Sequence, residues 1–223
     1  MILISFLASI MYLYAQESPF SIGLKGGVNL SNVSIDTDGY DEMKRYAVPG
    51  YVIGLTGEYS FNRNFFLASE FLFLSKGVKL KGIDQWIHKG ETRWKKTVHM
   101  HYLQVPVLAT FKMEVLFADD GQLVFQAGPY IAYGIGGKIK TDNRYVYISK
   151  PNDSEKSSTF GKDGFDRLDY GLTFRLGMEF KRYTIAVNLD GGLRDINDTK
   201  HDYNLAGRGG KNISGYLTFG YSF

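Results

Sequence analysis

The chain contains no cysteine, and this absence excludes several classes of protein. Without thiols there is no disulfide scaffold, no thiolate metal site, no cysteine nucleophile and no lipid-anchored cysteine. Charge is also modest: a net charge of +3 over 223 residues does not indicate a nucleic-acid-binding protein. No basic run carries interleaved aromatic residues in a binding pattern. We therefore predict no nucleic-acid partner.

Long apolar runs are equally scarce. The run at residues 1–15 is too short to span a bilayer comfortably as a helix, which needs about 20 apolar residues. The run ends at Ala15 and Gln16, and a small residue at this point is typical of the cleavage site of a signal peptide, although no Lys or Arg precedes the run. We predict a cleaved signal peptide over 1–15 and one domain over 16–223. The alternative is a buried first helix.

The rest of the chain alternates between apolar and small or polar residues with period two. In "DRLDYGLTFRLGMEF", for example, Leu168, Tyr170 and Leu172 oppose Asp169 and Gly171. Runs of this length can cross a bilayer as tilted strands, which need about 9–11 residues. Eight such runs are present, at residues 19–30, 51–61, 65–77, 101–112, 123–138, 166–180, 183–193 and 212–223.

The connections alternate in length, which predicts an antiparallel up-and-down meander. The short or modest connections are 62–64, 113–122 and 181–182, and the long polar ones are 31–47, 80–97, 139–165 and 194–211. Long loops without regular structure are unusual in compact soluble domains but normal on the outer face of a membrane barrel. The fold class predicted is therefore all-β, an eight-stranded antiparallel up-and-down transmembrane β-barrel. Both ends of the domain should lie at the rim of the tight turns.

The contents of the two faces decide between a membrane barrel and a soluble one. The apolar face carries bulky Leu, Phe, Tyr, Ile and Val, and the other face carries Gly, Ser, Ala, Thr and Gln with isolated charges. A soluble exterior would be dominated by Lys, Glu and Asp, whereas small residues and isolated charges suit a narrow polar lumen. Aromatic residues at the run ends suit interfacial girdles; they are Tyr51, Tyr59, Phe61, Phe65, Tyr183 and Tyr221. A secreted soluble barrel or sandwich is the alternative.

Charged residues on the polar face should form a network inside the lumen. Lys25, Glu70 and Arg175 lie at similar distances from the tight-turn end of their strands. Unpaired charges in a narrow interior are costly, so these residues should pair, with Glu58 and Glu179 as further acceptors. We predict a contact between Glu70 and Arg175 across the lumen and a plugged barrel.

Two prolines lie within neighbouring runs, at Pro106 and Pro129. Proline cannot donate a hydrogen bond to a β-ladder. We therefore predict β-bulges at both positions, which could shift the alternation beyond them by one residue.

The motifs resemble the PorT-like outer-membrane β-barrel family of Bacteroidetes-type bacteria. The resemblance is carried, in order, by "GLKGGVNLSNV", "FFLASEFLFLSKG", "YLQVPVLATFK", "GPYIAYGIGGK", "DYGLTFRLGMEF" and the aromatic tail. It implies an eight-stranded barrel in the outer membrane, with outer-membrane lipid as its surroundings. It brings no catalytic motif, and the part that some members take in protein secretion and gliding is not transferred by motifs that describe only the barrel.

The final run is similar to the strand signal that the barrel assembly machinery reads. This signal would consist of Leu217, Phe219, Tyr221 and Phe223. We expect the assembly machinery to be a partner during insertion. The alternative is a lipid-facing strand with no signal role, because the same alternation serves both.

The second long connection is basic and could bind an anion such as an outer-leaflet lipid phosphate. We assign the possible anion site to Lys89, Arg93, Lys95 and Lys96. A merely solvated loop is an alternative that the sequence favours at least as strongly.

The sequence gives little support for a metal site, a phosphate-binding loop or a catalytic serine. His99 and His101 share one strand face, and His88 and His201 lie in predicted loops, but no carboxylate or cysteine partner has the spacing of a metal site. "GIGGK" and "GRGGKN" lack the GK[ST] ending of a phosphate loop, so no cofactor is predicted. The serines at 149–158 show no nucleophile motif, so no catalytic site is predicted.

Three hypotheses follow for function. The first is a structural or interaction barrel whose long loops bind an unidentified protein partner. The second is a narrow channel for small solutes, and the third is an outer-leaflet lipid-modifying enzyme.

Overall fold

The computed structural model describes residues 19–36, 44–86, 90–115, 120–146, 153–160, 165–196 and 208–223. These ranges form one antiparallel sheet. Its strands are β1 (Phe20–Asp36), β2 (Lys44–Ser60), β3 (Phe65–Trp86), β4 (Gly90–Glu114), β5 (Gly121–Val146), β6 (Asp153–Ser158), β7 (Leu168–Phe180), β8 (Tyr183–Gly192) and β9 (Arg208–Ser222). In the part of the chain that is described, no helix has the length and apolar character to cross a membrane.

Eight of the strands close into a ring. Around the ring the order is β1, β2, β3, β4, β5, β7, β8 and β9, with neighbours paired and β9 paired back to β1. Strand β6 pairs with β5 outside this ring. The closing ladder runs from Gly23 opposite Ser222 to Asp36 opposite Arg208. Closure leaves no free edge within the ring, which backbone groups require in hydrocarbon. The predicted eight-stranded up-and-down barrel is therefore confirmed.

The two rims of the barrel differ. The turn rim is the end at which β2 is followed by β3, β4 by β5 and β7 by β8, together with the start of β1 and the end of β9. There the backbone N–H of Phe223 donates to the Ile22 carbonyl at 2.9 Å. The loop rim, at the opposite end, carries the connections β1–β2, β3–β4, β5–β7 and β8–β9. Both described ends of the domain thus lie at the turn rim, as the even strand number predicted.

The apolar face points outward over a broad band next to the turn rim. On β7, Tyr170, Leu172, Phe174 and Leu176 are exposed, whereas the residues between them are buried in the lumen. The other ring strands alternate in the same way. The predicted girdle residues Tyr51, Tyr59, Phe61, Phe65 and Tyr183 are exposed on the outside, and Tyr221 is half-buried beside Tyr183 and Phe223.

The long connections contain far more strand than the alternation predicted. The expected loop at 80–97 is a hairpin in which β3 continues to Trp86 and β4 begins at Gly90. The expected loop at 139–165 contains the end of β5 and the additional strand β6, which pairs with it. The prediction of long loops without regular structure is therefore wrong for these two connections. The strands extend beyond the apolar band with polar residues outside and apolar residues inside, a pattern that in the sequence resembles a polar loop.

The predicted bulges at Pro106 and Pro129 are also wrong. Leu72–Gln104 and Ser69–Val107 share one register on either side of Pro106, and β5 keeps one register with β7 through Pro129. A proline removes only one ladder donor, so the pairing resumes unshifted. The register shifts lie elsewhere: between Ala47 and Val52 in the β2–β3 ladder, between His101 and Tyr102 in the β4–β5 ladder, and between Ser34 and Asp36 in the β1–β9 ladder.

Polarity inverts towards the loop rim. On the extension of β3, Val78 and Leu80 are buried inside the barrel and Lys81 is exposed outside. On β4, Val98 and Met100 are likewise buried, and His99 is exposed between them. The barrel interior here is a hydrophobic core; it contains Val33, Leu72, Leu74, Val78, Leu80, Val98, Met100, Tyr102, Ile139, Phe160, Phe165 and Ile196.

Candidate functional site: the filled lumen and the loop rim

The lumen contains a middle layer built on the contact between Glu70 of β3 and Arg175 of β7. Two guanidinium nitrogens of Arg175 lie 2.7 Å from the two Glu70 carboxylate oxygens, which is a bidentate ion pair. The Nζ of Lys25 on β1 reaches the same carboxylate at 2.9 and 3.2 Å. The contact predicted between Glu70 and Arg175 is therefore present, and all three side chains are buried.

Hydrogen bonds extend the middle layer across the ring. Arg175 also donates to Gln126 of β5 and to Asn188 of β8. Gln126 donates in turn to Thr110 of β4 at 2.8 Å, and Asn188 donates to Thr218 of β9 at 3.0 Å. The layer thus joins β1, β3, β4, β5, β7, β8 and β9. Because each group is buried and bonded, the layer is a connected polar network that crosses the lumen.

A separate layer lies near the turn rim. Lys112 Nζ is 2.6 Å from Glu58 Oε1 and 3.0 Å from Glu179 Oε2, and it lies 4.5 Å from the centre of the Phe66 ring. The prediction that Glu58 and Glu179 accept from the Lys25–Arg175 group is therefore wrong. Both carboxylates lie near the turn-rim ends of their strands, where Lys112 is the nearer cation. Spacing along one strand does not indicate this pairing between strands.

The third layer lies above the middle one and was not predicted. Lys76 Nζ is 3.5 Å from Asp169 Oδ2, 3.8 Å from Asp190 Oδ2 and 4.7 Å from the centre of the Tyr130 ring. These three charged side chains are completely buried. Lys76 shares a strand face with Glu70, which was the available signal.

Neutral groups complete this loop-side layer. Asp190 accepts from Gln104 at 2.9 Å and from Tyr216 at 2.9 Å, and Asp169 accepts from Asn212 at 2.8 Å. Such bonds offset the desolvation cost of the buried carboxylates.

An apolar cap covers the layers at the loop rim. Phe160 packs against Tyr102 with ring centres 5.6 Å apart, and Phe165 and Ile196 are buried beside it. Arg167 covers Phe160 and donates to the Gly134 carbonyl at 2.8 Å. Phe160 and Arg167, which lie between β6 and β7, are thereby held at the barrel mouth. Near the turn rim, a cavity of about 70 Å³ remains, which is room for a few water molecules.

The predicted anion site is only partly assembled. Arg93 and Lys95 lie on the outer surface of β4, whereas Lys96 lies on the same face as buried Val98 and points the opposite way. The prediction that Lys96 joins the site is wrong, because adjacent strand residues face opposite sides. Lys89 lies outside the described residues.

The outer surface around Lys95 carries other cations. Lys44 and Lys81 lie in the same row as Lys95, which continues to Asp142 of β5 and Ser154 of β6. Asp142 lies 3.2 Å from Lys140 and 4.0 Å from Lys95. The hydrogen bond from Ser154 and the neighbouring lysines lower the pKa of the Asp142 carboxyl, which keeps it ionised.

Two predictions remain, the assembly signal at the end of the chain and the histidines as metal ligands. Leu217, Phe219 and Phe223 are exposed on the outer face of β9 and just beyond it, and Tyr221 is half-buried. Their role as an assembly signal stays a prediction. His101 stacks on Phe73 at 5.9 Å outside the barrel, while His88 and His201 lie outside the described residues. Among the residues described, no three His, Cys, Asp or Glu side chains are grouped to hold a metal.

The chain belongs to the family described as outer membrane protein beta-barrel domain, whose model matches residues 14–198. It is therefore an outer-membrane β-barrel protein, as the sealed ring with an apolar outer band also indicates. A search of curated proteins found no match.

Three solved barrels illustrate the similarity in fold. Ail, the attachment invasion locus protein of Yersinia pestis, is 14% identical with a TM-score of 0.40, covering 92% of this chain and 99% of Ail. OprG of Pseudomonas aeruginosa is 14% identical with a TM-score of 0.45, covering 92% and 96%. Neisserial surface protein A is 8% identical with a TM-score of 0.41, covering 92% and 98%. These values concern the fold alone.

Proposed function

We propose that the chain is a non-conducting outer-membrane barrel whose loop rim presents a rigid platform to a partner. The observation that carries this proposal is the middle layer, in which Arg175 links Glu70, Gln126 and Asn188 across the lumen. The layers of Lys76 and Lys112 lie on either side of it. A channel for small solutes, the second hypothesis, would need to displace all three layers.

Conductance of the purified barrel in planar bilayers tests the closed lumen. We expect no steady single-channel current from the wild type. Arg175→Ala should produce rare openings, because it removes the residue that joins both sides of the layer. Lys181→Ala at the exposed turn rim is the matched control and should stay silent. Large steady wild-type currents would reject the proposal in favour of a channel.

The platform is supported by the extensions of β3, β4 and β5, which continue beyond the apolar band around their own hydrophobic core. A surface held by strands loses less conformational entropy on binding than a mobile loop does. We propose that a protein partner binds at this rim.

A photo-crosslinking amino acid at exposed Ser157 of β6 should capture that partner in intact cells, whereas one at exposed Arg63 on the turn rim should not. Capture from Arg63 alone would contradict the placement of the partner.

We propose further that the chain lies in the PorT-like branch of the family and is exported by a signal peptide over 1–15. The branch is supported by the ordered motifs, and the export by the apolar run before Gln16. Sequencing the amino terminus of the protein purified from its membrane tests the second statement. A mature chain that begins near Gln16 is expected, and one that retains Met1 would contradict it.

We propose no catalytic activity. Two of the serines suspected from the sequence have structural partners: Ser154 donates to Asp142 at 3.0 Å, and Ser158 donates to the Phe160 carbonyl at 3.0 Å. The enzyme hypothesis would be revived if the purified barrel released fatty acid from outer-leaflet lipid and Ser154→Ala abolished the release.

A further inference from the structure

We propose that the outer surface of β2–β5 at the loop rim binds the phosphate groups of outer-leaflet lipid. The basic surface, as we call it, consists of Lys44, Lys79, Lys81, Lys95, Lys138 and Lys140. The inference rests on the proposed function in one respect, since it needs the loop rim to face the outer leaflet.

The β-ladders align these lysines in three rows around the barrel. In the upper row, Lys44 is opposite Lys81, and Lys81 is opposite Lys95. In the middle row, Lys79 and Lys140 lie on either side of Thr97. The lower row places Lys138 opposite His99.

Side-chain direction puts all six lysines on the outside. They are exposed or half-buried, and the residues that alternate with them, such as Val78, Leu80 and Val98, are buried in the hydrophobic core. The lysines therefore form one continuous surface on the outer wall of the barrel.

This arrangement breaks a rule of strand pairing. Like charges directly opposite each other on neighbouring strands destabilise a sheet. The upper row places three lysines side by side, and β6 adds Lys156 opposite Lys140. Asp142 is the only carboxylate within the three rows. Such local conflicts concentrate at functional sites. A phosphate bound on this surface would offset the repulsion among the lysines.

The basic surface begins where the apolar band ends. Below it, the rings of Tyr51 and Phe73 lie 5.7 Å apart, and His101 stacks on Phe73. Exposed Tyr133 lies in the row of Phe73. Aromatic residues of this kind mark the boundary between hydrocarbon and headgroups.

Distance along the strands places the lysines at headgroup depth. From His101, the lower, middle and upper rows are two, four and six residues along β4, at His99, Thr97 and Lys95. With a rise of about 3.3 Å per residue and a tilt of about 45°, the rows lie roughly 5, 9 and 14 Å above the aromatic boundary. Lysine side chains are long enough to bend down to phosphates at the lower levels.

The chemistry of the surface selects a phosphorylated lipid rather than a soluble anion. The ammonium groups spread around a convex barrel wall, whereas a pocket for a small anion would converge on one point. Lys81 also lies 4.9 Å from the centre of the Tyr46 ring, so its charge is held close to the wall. A surface of several headgroups, packed side by side in a leaflet, matches a surface of evenly spaced cations.

The test uses the full mature barrel and two lipid probes. One probe is lipid A, a bisphosphorylated glucosamine lipid, and the other is the same lipid without phosphates. The variant Lys79→Gln/Lys81→Gln/Lys95→Gln removes three charges from the basic surface. Native mass spectrometry in mild detergent gives the apparent Kd for each probe. We expect the variant to bind phosphorylated lipid at least about tenfold more weakly, since each lysine near an anionic surface adds to the attraction.

A matched control removes the same net charge at the opposite end of the barrel. Arg63→Gln/Lys181→Gln/Arg182→Gln changes three exposed cations of the turn rim, and lipid binding should stay within about twofold of wild type. The folding of both triple variants is checked by gel electrophoresis, in which a folded barrel migrates differently before and after heating. Equal losses in the two variants, or no loss in the first, would overturn the proposal.

A substitution at Asp142 should change lipid binding in the opposite direction. Because it is the one carboxylate in the rows and lies near Lys95 and Lys140, Asp142→Asn should tighten binding of the phosphorylated probe by a few fold. General damage to the surface would weaken binding instead, and that result would count against the proposal. Equally strong binding of the dephosphorylated probe to wild type would also overturn it.

The alternative source of anion is a soluble polymer. If heparin bound with a salt-sensitive affinity that the lysine triple variant abolished, while lipid binding was unchanged, the surface would belong to a soluble polyanion and the proposal would fail. A conducting wild-type barrel would refute the proposed function but leave these binding results intact, so the two failures are distinguishable.

Discussion

The apolar band and the loop-rim extension are built from the same strands with opposite polarity. On β3, the band has Leu67 and Phe71 outside and Glu70 inside, whereas the extension has Lys81 outside and Leu80 inside. Strand alternation alone therefore carries no information on which face is buried. The solvent around each part of the strand decides it: lipid selects apolar residues outside, and water selects them inside.

The boundary between the two regions coincides with irregular pairing. The β4–β5 ladder shifts register between His101 and Tyr102, and the β2–β3 ladder shifts between Ala47 and Val52. A bulge inserts one residue and so exchanges the faces of the strand beyond it. On β5 this exchange is visible, because Ile135 and Lys138 are both exposed although they differ in parity.

The largest effect should come from the lumen of the band. Arg175→Ala leaves the Glu70 carboxylate buried with Lys25 as its only remaining charged partner at salt-bridge distance among the described residues. We expect a loss of about 3–5 kcal/mol in the free energy of unfolding, measured by reversible urea unfolding in phospholipid vesicles.

The control for that variant is Lys112→Ala. Its partners Glu58 and Glu179 have side chains that are 18% and 22% exposed, so water can replace the lost contact and the effect should be smaller. Equal losses for the two variants would show that the middle layer is wet.

The next effect should come from the core of the extension. Leu80 is completely buried, and Leu80→Ala should cost about 2–5 kcal/mol, as in the core of a soluble protein. The adjacent outward residue provides the comparison, because Lys81→Ala should change stability by no more than about 0.5 kcal/mol. Urea unfolding of both variants measures the difference. A negligible effect of Leu80→Ala would mean that the extension is not folded as a core.

A charge on the outer face should distinguish the two regions directly. Val187 lies in the middle of β8 and is exposed to the outside, so Val187→Arg should cost about 2–4 kcal/mol in a bilayer. Ile83 is exposed on the extension of β3, where Ile83→Arg should cost at most about 1 kcal/mol. Both free energies of unfolding are measured in the same vesicles. Similar losses at the two positions would mean that the apolar band and the extension are surrounded by the same medium, which contradicts the inversion of polarity.

The smallest effect concerns pH at the extension. The hydrogen bond from Ser154 lowers the pKa of Asp142, so its stabilisation is present above the ordinary carboxyl pKa and is lost as pH falls through the lowered value. Ser154→Ala should therefore be slightly less stable than wild type at neutral pH, and the two should converge in acid. A stability difference that does not vary with pH would contradict this reasoning.

Much of the band could be predicted from the sequence. Its alternation is strict, its turns are short, and the heights of Glu70 and Arg175 follow from counting residues from those turns. The extension could not be predicted in the same way. Its outward residues, such as Thr97 and Lys140, are polar, and a polar stretch in the sequence predicts a loop. Its inward residues, such as Val78 and Leu80, continue the apolar composition of the band.

The pairing of charges in the lumen layers could not be predicted from the sequence either. Lys76, Asp169 and Asp190 lie on different strands, and only closure and shear of the ring bring them together. Sequence spacing along one strand gives the height of a charge but not its partner around the barrel. The pairing of Lys112 with Glu58 and Glu179 was missed for this reason.

The inversion of polarity can be measured most directly by spin-label accessibility. The chain has no cysteine, so single cysteines at Leu67, Phe71, Lys79, Leu80 and Lys81 each carry one label without background. In lipid vesicles we expect labels at Leu67 and Phe71 to be accessible to oxygen, labels at Lys79 and Lys81 to a water-soluble nickel complex, and the label at Leu80 to neither. Labels at Lys79 and Lys81 that behave like the label at Phe71 would contradict the account.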